Sequence, residues 1–217
     1  MMNVTKKAQV MREISVPGVD AIHGVTYDGA RVWFADGTRG GLTAVDPDTG
    51  EEVKRLADIP SEAGTAFDGK LLYQVAGDKI RKIDPKTGKI VGSIPAPSDG
   101  QDSGLAWAEG ALWIGQYKTR KLHKVDAHTG KVLKTIKSDR FVTGVTWVDG
   151  QLWHATWENE ASDIRRIDPE TGEVLERLEM PRGTGCSGLE ADDRGRFWCG
   201  GGDSGKLRAI KRPAGRA

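Results

Sequence analysis

Apolar and polar residues alternate along most of this chain in short runs. The segments KVLKTI (131–136) and EVLERL (173–178) show the pattern clearly. Strict alternation places apolar side chains on one face of a β-strand, whereas an amphipathic helix repeats every 3.6 residues. No segment keeps that helical period between the Gly, Pro and Asp residues that interrupt the runs. The pattern therefore predicts an all-β protein.

A repeat of about 40 residues organises these strands. The clearest copies read Gly, apolar, small, aromatic, then a turn containing Gly, then an apolar residue followed by an aromatic one. The repeated glycines are Gly24, Gly64, Gly104, Gly144 and Gly188. The aromatic positions that follow are Trp33, Tyr73, Trp113, Trp153 and Trp198. Each unit holds four short strands, which is typical of a propeller blade.

Two kinds of turn separate the strands within a unit. An Asp-Gly or Glu-Gly pair, such as Asp28-Gly29, joins the first two strands and indicates a hairpin. An Asp-Pro-x-Thr-Gly segment, such as 46–50 or 168–172, joins the last two. Proline fixes φ in that turn, aspartate accepts bonds from the backbone, and glycine tolerates positive φ.

The fifth unit ends after its third strand, and the missing fourth strand lies at the start of the chain. Residues 9–24 align without a gap on residues 173–188. We therefore predict a five-bladed β-propeller whose last blade is closed by an N-terminal strand at about 9–17, paired beside Leu207–Ile210. A single domain over 1–217 is expected, with blades at about 22–57, 62–95, 102–137, 142–179 and 186–211.

Composition narrows the possible partners. The net charge is only +1, which gives no field to attract nucleic acid or a membrane surface. No apolar run approaches the roughly 18 residues of a membrane span, and no secretory signal is recognisable. We expect a cytoplasmic monomer without cofactor or metal, with Cys186 and Cys199 as free thiols.

The variable loops enter the first strand of each blade and link the second strand to the third, so both sets meet at one end of the channel. Function concentrates where a rigid scaffold carries variable loops. We predict candidate catalytic residues at His23, Glu62, Asp102 and Glu158. Candidate substrate-binding residues are Gln74, Ser103, Gln116, Tyr117, Thr143, His154, Trp157 and Ser187.

Two interpretations of these residues remain open. A histidine and several carboxylates on one rim could perform general acid–base work. Polar residues also line the channel of any propeller, with or without chemistry. His154 fits a buried structural histidine as well as a ligand contact, and Trp157 fits packing between blades as well as ligand stacking.

The stretch GQLWHATWENEASDIRRIDPETGEVL (150–175) resembles the plant and bacterial glutaminyl cyclase family. The resemblance implies a five-bladed propeller that converts N-terminal glutamine to pyroglutamate. Trp157 matches a family tryptophan, and Leu72-Tyr73-Gln74 matches a family Leu-Tyr-Gln. Where the family carries Asn-Glu-Leu-Glu-Tyr, this chain has TGVTW (143–147), so Glu62, Asp102 or Glu158 would have to move the proton.

A weaker resemblance connects the same repeats to streptogramin (virginiamycin B) lyases. That resemblance implies metal-assisted elimination, for which His23, Glu62 and His154 are the nearest ligands. The sequence thus predicts a glutaminyl-cyclase-like propeller that binds a small molecule or peptide N-terminus at its channel mouth. The alternatives are a non-catalytic ligand- or protein-binding propeller and a lyase of this second kind.

Overall fold

The computed structural model describes residues 4–97 and 101–214 as β-strands and turns, without a helix long and apolar enough to cross a membrane. The strands form five sheets arranged as a five-bladed β-propeller, which confirms the predicted fold. Blade 1 contains β3 (Ile22–Tyr27), β4 (Val32–Asp36), β5 (Leu42–Val45) and β6 (Glu52–Leu56). Blade 2 contains β7 (Thr65–Phe67), β8 (Leu72–Ala76), β9 (Lys79–Ile83) and β10 (Ile90–Pro95).

The remaining blades repeat this arrangement. Blade 3 contains β11 (Asp102–Ala108), β12 (Ala111–Gln116), β13 (Lys121–Asp126) and β14 (Val132–Lys137). Blade 4 contains β15 (Val142–Val148), β16 (Gln151–Glu158), β17 (Ala161–Ile167) and β18 (Val174–Glu179). Blade 5 contains β19 (Ser187–Ala191), β20 (Arg196–Gly200), β21 (Lys206–Lys211) and, from the start of the chain, β2 (Val10–Ser15).

The closing strand pairs as the sequence predicts. Strand β2 runs antiparallel to β21, with Val10 opposite Ile210 and Ile14 opposite Leu207. A further strand, β1 (Val4–Lys7), pairs in parallel with the outer edge of β18 in blade 4. No repeat of the sequence pattern predicts β1. The start of the chain therefore joins blade 5 to blade 4.

The aromatic column fills the spaces between neighbouring blades. Trp33 of blade 1 packs with Leu72 of blade 2, and Trp113 of blade 3 packs with Leu152 of blade 4. Trp198 of blade 5 packs in a cluster with residues of blade 1, which completes the ring. These faces are apolar because a sheet packed on both sides must exclude water from both.

The repeated glycines allow the innermost strands to approach one another closely around the axis. A Cβ atom on Gly104 would lie 2.7 Å from the backbone carbon of Gly144, and one on Gly144 would lie 2.5 Å from that of Gly188. Real Cβ atoms do not come this close to backbone, so a side chain at these positions would push the blades apart. The lack of a side chain at these positions thus determines how close the innermost strands lie to one another around the axis.

Candidate functional site

A cavity of about 570 Å³ lies at the end of the axis where the first strand of each blade begins. Residues from all five blades line it. Eight of the twelve residues predicted from the sequence are in its lining: His23, Glu62, Asp102, Ser103, Tyr117, Thr143, Trp157 and Ser187. We call this space the mouth cavity.

The mouth cavity carries more negative than positive charge. Glu62, Asp102 and Asp203 contribute carboxylates from blades 2, 3 and 5, while Lys118 is the one lysine in the described lining. Glu62 is exposed, and its Oε2 accepts a bond of 2.9 Å from the backbone amide of Gly77. A cationic group would be favoured over an anionic one in this space.

Two glutamines predicted as substrate contacts lie outside the cavity lining. Gln74 is fully buried in blade 2, where it accepts from the Thr65 hydroxyl at 2.6 Å and donates to the carbonyl of Val75 at 2.9 Å. Gln116 donates to Oδ1 of Asp102 at 3.2 Å and accepts from the hydroxyl of Thr119 at 2.6 Å. Gln74 thus holds the blade together, and Gln116 orients Asp102 from behind.

His154 also lies away from the cavity. Its ring is 1% exposed, and Nδ1 lies 3.4 Å from the carbonyl oxygen of Ala155. Burial, followed by the positive charge of Arg165, lowers the pKa of His154 to about 4. A neutral, enclosed imidazole supports the structural interpretation and not the predicted ligand contact.

Glu158, a predicted catalytic residue, is paired with arginines instead of facing the cavity. Its Oε1 lies 2.5 Å from Nη2 of Arg120, and its Oε2 lies 3.8 Å from Nε of Arg140. Both arginines come from the adjacent blade 3 and the loop that follows it. Glu158 therefore ties blade 4 to its neighbour at the edge of the site.

The Arg120–Glu158 pair supports one wall of the mouth cavity. The guanidinium of Arg120 lies 4.5 Å from the ring centroid of Phe141, and the Phe141 ring stacks on Tyr117 at 4.7 Å. Tyr117 is the member of this stack that faces the cavity. The aromatic wall is thus fixed from behind by a cation and an ion pair.

Trp157 stands beside Gly185, and both line the cavity. A Cβ atom on Gly185 would lie 3.6 Å from Cε3 of Trp157, so the glycine packs close to the edge of the indole. The ring is half-buried, and part of it stays open to a ligand. An indole placed in this way can supply flat apolar contact to whatever enters.

Two rim hydroxyls are used to connect blades. Oγ of Ser103 lies 2.6 Å from the carbonyl oxygen of Val142, which joins blade 3 to blade 4. Thr143 donates to the carbonyl of Cys186 at 2.5 Å, which joins blade 4 to blade 5. Because each hydroxyl has a single proton, these groups remain only as acceptors for a ligand.

The two cysteines are free and buried, and Cys186 forms part of the cavity lining. Burial, followed by the neighbouring Cys199 thiol, raises the pKa of Cys186. A thiol in this environment is a poor nucleophile, because the thiolate is the reactive form. Cys186 therefore contributes surface to the cavity and not reactivity.

Glu190, a titratable residue near the axis, is not among the site residues predicted from the sequence. Glu190 lies two positions after Gly188, in a column otherwise occupied by Thr26, Ala66, Ala106 and Thr146. Its Oε1 accepts from the Thr146 hydroxyl at 2.5 Å, and its Oε2 accepts from the Thr26 hydroxyl at 2.9 Å. The sequence signal for Glu190 is a carboxylate at a position that the other repeats fill with alanine or threonine. Glu190 links blades 4, 5 and 1 beyond the glycines, away from the cavity lining.

Within residues 4–97 and 101–214, no three His, Cys, Asp or Glu side chains converge closely enough to hold a metal ion. The lining of the mouth cavity includes carboxylates and an imidazole that can transfer protons, and aromatic rings that can position a ligand. The candidate site is therefore an acidic cavity with one aromatic side.

Comparisons with known proteins agree with this fold. A family described as outer membrane protein assembly factor BamB matches residues 38–133, and no curated protein matches the chain. The structure resembles glutaminyl cyclase of Myxococcus xanthus with a TM-score of 0.79 and 17% identity, over 97% of this chain and 98% of that one.

Two other propellers are less similar. A streptogramin B lyase has a TM-score of 0.54 and 12% identity, over 92% of this chain and 96% of the lyase. The WD40 propeller domain of Doa1 has a TM-score of 0.55 and 16% identity, over 87% of this chain and 63% of that one. The chain is thus a five-bladed propeller similar in fold to a glutaminyl cyclase along the length of both, with a weaker likeness to a streptogramin lyase.

Proposed function

We propose that the protein is a glutaminyl-cyclase-like propeller that binds the amino end of a peptide, or a small amine of similar shape, in the mouth cavity. The observation that carries the proposal is that Glu62, Asp102 and Asp203, from three different blades, all line one cavity, together with Trp157 and Tyr117. An ammonium group is the complement of such a set of carboxylates.

The size of the cavity fits this ligand class. A volume of about 570 Å³ lies within the roughly 300–1,000 Å³ range of small-molecule sites, and one or two residues of a peptide fit into it. Trp157 and Tyr117 would contact the apolar part of the ligand while the carboxylates bind its charged end. The rest of a peptide can leave through the open mouth.

Cyclisation of N-terminal glutamine is the reaction that we propose to test first. The α-amine attacks the side-chain amide carbon, a C–N bond forms, the bond to the amide nitrogen breaks, and ammonia leaves. A proton must pass from the attacking amine to the departing nitrogen. Glu62, Asp102 and His23 lie on consecutive blades around the cavity and are the candidates for this transfer.

The test measures ammonia release and peptide mass during incubation with Gln-initiated peptides. We expect turnover by the unmodified protein and a roughly 10²-fold or larger loss of kcat/KM in Glu62→Gln or Asp102→Asn, the usual contribution of a general acid or base. Glu160→Gln is the matched control, because Glu160 is an exposed carboxylate outside the cavity lining.

Binding is measured separately, with the same peptide and with its N-acetylated form. Binding of the free peptide alone, without ammonia release, would leave the protein a non-catalytic amine-binding propeller. Equal binding of both peptides, or variants as active as Glu160→Gln, would contradict the proposal.

A further inference from the structure

A second cavity, of about 410 Å³, opens at the opposite end of the propeller between blades 1 and 2. Four cationic residues line it, together with a single carboxylate residue, Asp28, and the ring of Phe67. The cations are Arg31, Lys54, Lys70 and Lys86. We call this space the basic groove. It is separate from the mouth cavity, since the hairpin turns lie at the far ends of the first strands.

The repeat shows that this accumulation of charge is particular to one groove. The third residue of the Asp-Pro-x-Thr-Gly turn is Asp48 in blade 1, Lys86 in blade 2, His128 in blade 3 and Glu170 in blade 4. Between blades 3 and 4, Glu170 of this turn pairs with Lys134 of the preceding blade. Between blades 5 and 1, Asp48 pairs with Arg194 at 2.8 Å. Two equivalent positions thus neutralise a cation of the preceding blade.

Between blades 1 and 2 this turn position carries Lys86, which has the same charge as Lys54 of the preceding blade. Lys54 takes the place of Lys134, and its Nζ donates to the backbone carbonyl of Lys86 at 2.7 Å, which brings the two lysines together. Among the described residues, none of the four cations of the basic groove lies within 4.0 Å of a carboxylate oxygen. Their charges are therefore not compensated by close ion pairs.

The two aspartates of the neighbouring hairpins already accept hydrogen bonds from within their own blades. Asp28 accepts from Nε1 of Trp33 at 2.7 Å and from the amides that follow it in the turn. Asp68 accepts from the hydroxyl of Tyr73 at 3.0 Å and likewise from turn amides. These bonds hold the carboxylates in the hairpins, where they reduce the local positive charge without capping the lysines.

We propose that the basic groove binds a small polyanion carrying phosphate-type groups. Arg31 offers a planar fork of donors that matches such oxygens, and the three lysines supply mobile point charges around them. The half-buried ring of Phe67 offers an apolar surface to the remainder of the ligand. Since Arg31, Lys70 and Lys86 are exposed, the interaction weakens as salt rises, with a Debye length of about 8 Å at physiological ionic strength.

The experiment titrates the full chain with inorganic triphosphate by calorimetry at low ionic strength. We expect one site per chain, an affinity that falls with added salt, and a roughly tenfold or larger loss in Lys86→Glu. Lys86→Glu places opposite Lys54 the acid that Glu170 places opposite Lys134, so the variant is expected to fold. Lys86→Arg keeps the charge and should keep the affinity.

The matched control is Lys79→Glu, the same charge change on an exposed residue at the mouth end of blade 2. Its affinity for triphosphate should stay near that of the unmodified protein. Equal affinity in Lys86→Glu, or an equal loss in Lys79→Glu, would overturn the proposal. Binding of single-stranded oligonucleotide but not of triphosphate would overturn it too, because a small-molecule groove must take the small anion.

Discussion

The environment of Glu190 shows how one substitution in a repeat changes the chemistry of the axis. Burial raises the pKa of this carboxyl to about 7, although bonds from Thr146, the Ala191 amide and Thr26 act in the opposite direction. The protonated form is therefore favoured in the folded protein up to near-neutral pH. Each of its two oxygens contacts a different neighbouring blade.

The stability of the protein should depend on this proton. A raised folded pKa means that the contribution of Glu190 is fully present below the unfolded pKa of about 4.5 and is lost as the pH rises through about 7. We expect Glu190→Gln to remove this loss and to raise the free energy of unfolding at pH 8 by about 1–3 kcal/mol, since one pKa unit corresponds to about 1.4 kcal/mol.

Denaturant unfolding at pH 5 and pH 8 measures the effect. The difference between Glu190→Gln and the unmodified protein should be larger at pH 8 than at pH 5. The same difference at both pH values would show that the variant acts through packing and not through the proton.

Residue types on the rim could be predicted because loop position and repeat alignment place them at one end of the channel. The hydrogen-bond and ion-pair partners of those residues could not be predicted from the sequence. Glu158 is held by Arg120 of blade 3 and by Arg140 of the loop that follows that blade, and only the folded ring brings those side chains together. Gln74 was misplaced for a related reason: its neighbour Thr65 lies on the adjacent strand and turns the amide inward.

Strands and turns were predictable because their signals are local and repeated. The first hairpin turns of blades 3 and 4 differ in detail from those of blades 1 and 2, since Glu109 and Asp149 both adopt a left-handed φ of 52° ahead of a glycine, as expected for a two-residue hairpin loop. Strand β1 has no counterpart in the repeat and is only four residues long. It pairs in parallel with a distant strand and adds the Lys6–Glu176 ion pair at 2.7 Å. No local sequence pattern predicts the pairing of such a short strand with a distant one.

The closing strand β2 gives a prediction at the scale of the element. Ile14 is 6% exposed and packs with Trp198 and Leu207 in the cluster between blades 5 and 1. We expect Ile14→Ala to lower the free energy of unfolding by about 2–4 kcal/mol, the usual cost of truncating a buried isoleucine.

Met11 provides the control on the same strand. It is 53% exposed, so Met11→Ala should change stability by less than about 0.5 kcal/mol. Chemical denaturation of both variants measures the difference. A small effect of Ile14→Ala would mean that β2 does not hold the ring closed.

The stability of the propeller should depend on where the chain ends interrupt the ring of blades. In the native chain the break falls inside blade 5, between its third and fourth strands, and the β2–β21 ladder bridges it. Blades 1, 2 and 3 are single continuous segments, and blade 4 is continuous except for β1, which comes from the start of the chain. A chain break between blades 1 and 2 would not be bridged by hydrogen bonds between paired strands.

Circular permutation tests this arrangement. With the native ends joined by a flexible linker, new ends between Lys86 and Thr87 place the break inside blade 2, whereas new ends between Ala57 and Asp58 place it between blades 1 and 2. We expect the first permutant to keep most of the native stability and the second to lose more, although the folded contacts are nearly the same. Thermal melts that rank the two in the reverse order would contradict the role of the shared blade.

The register of the closing ladder also determines how the protein responds to tension. Gln9 accepts a bond from Lys211, and Val10 lies opposite Ile210, so both chain segments leave the ladder at the same end. A force that draws residues 9 and 211 apart acts on the ladder one hydrogen bond at a time, as in unzipping, and never shears the whole ladder at once. A small force applied between residues 9 and 211 would therefore be enough to open the closing ladder of blade 5.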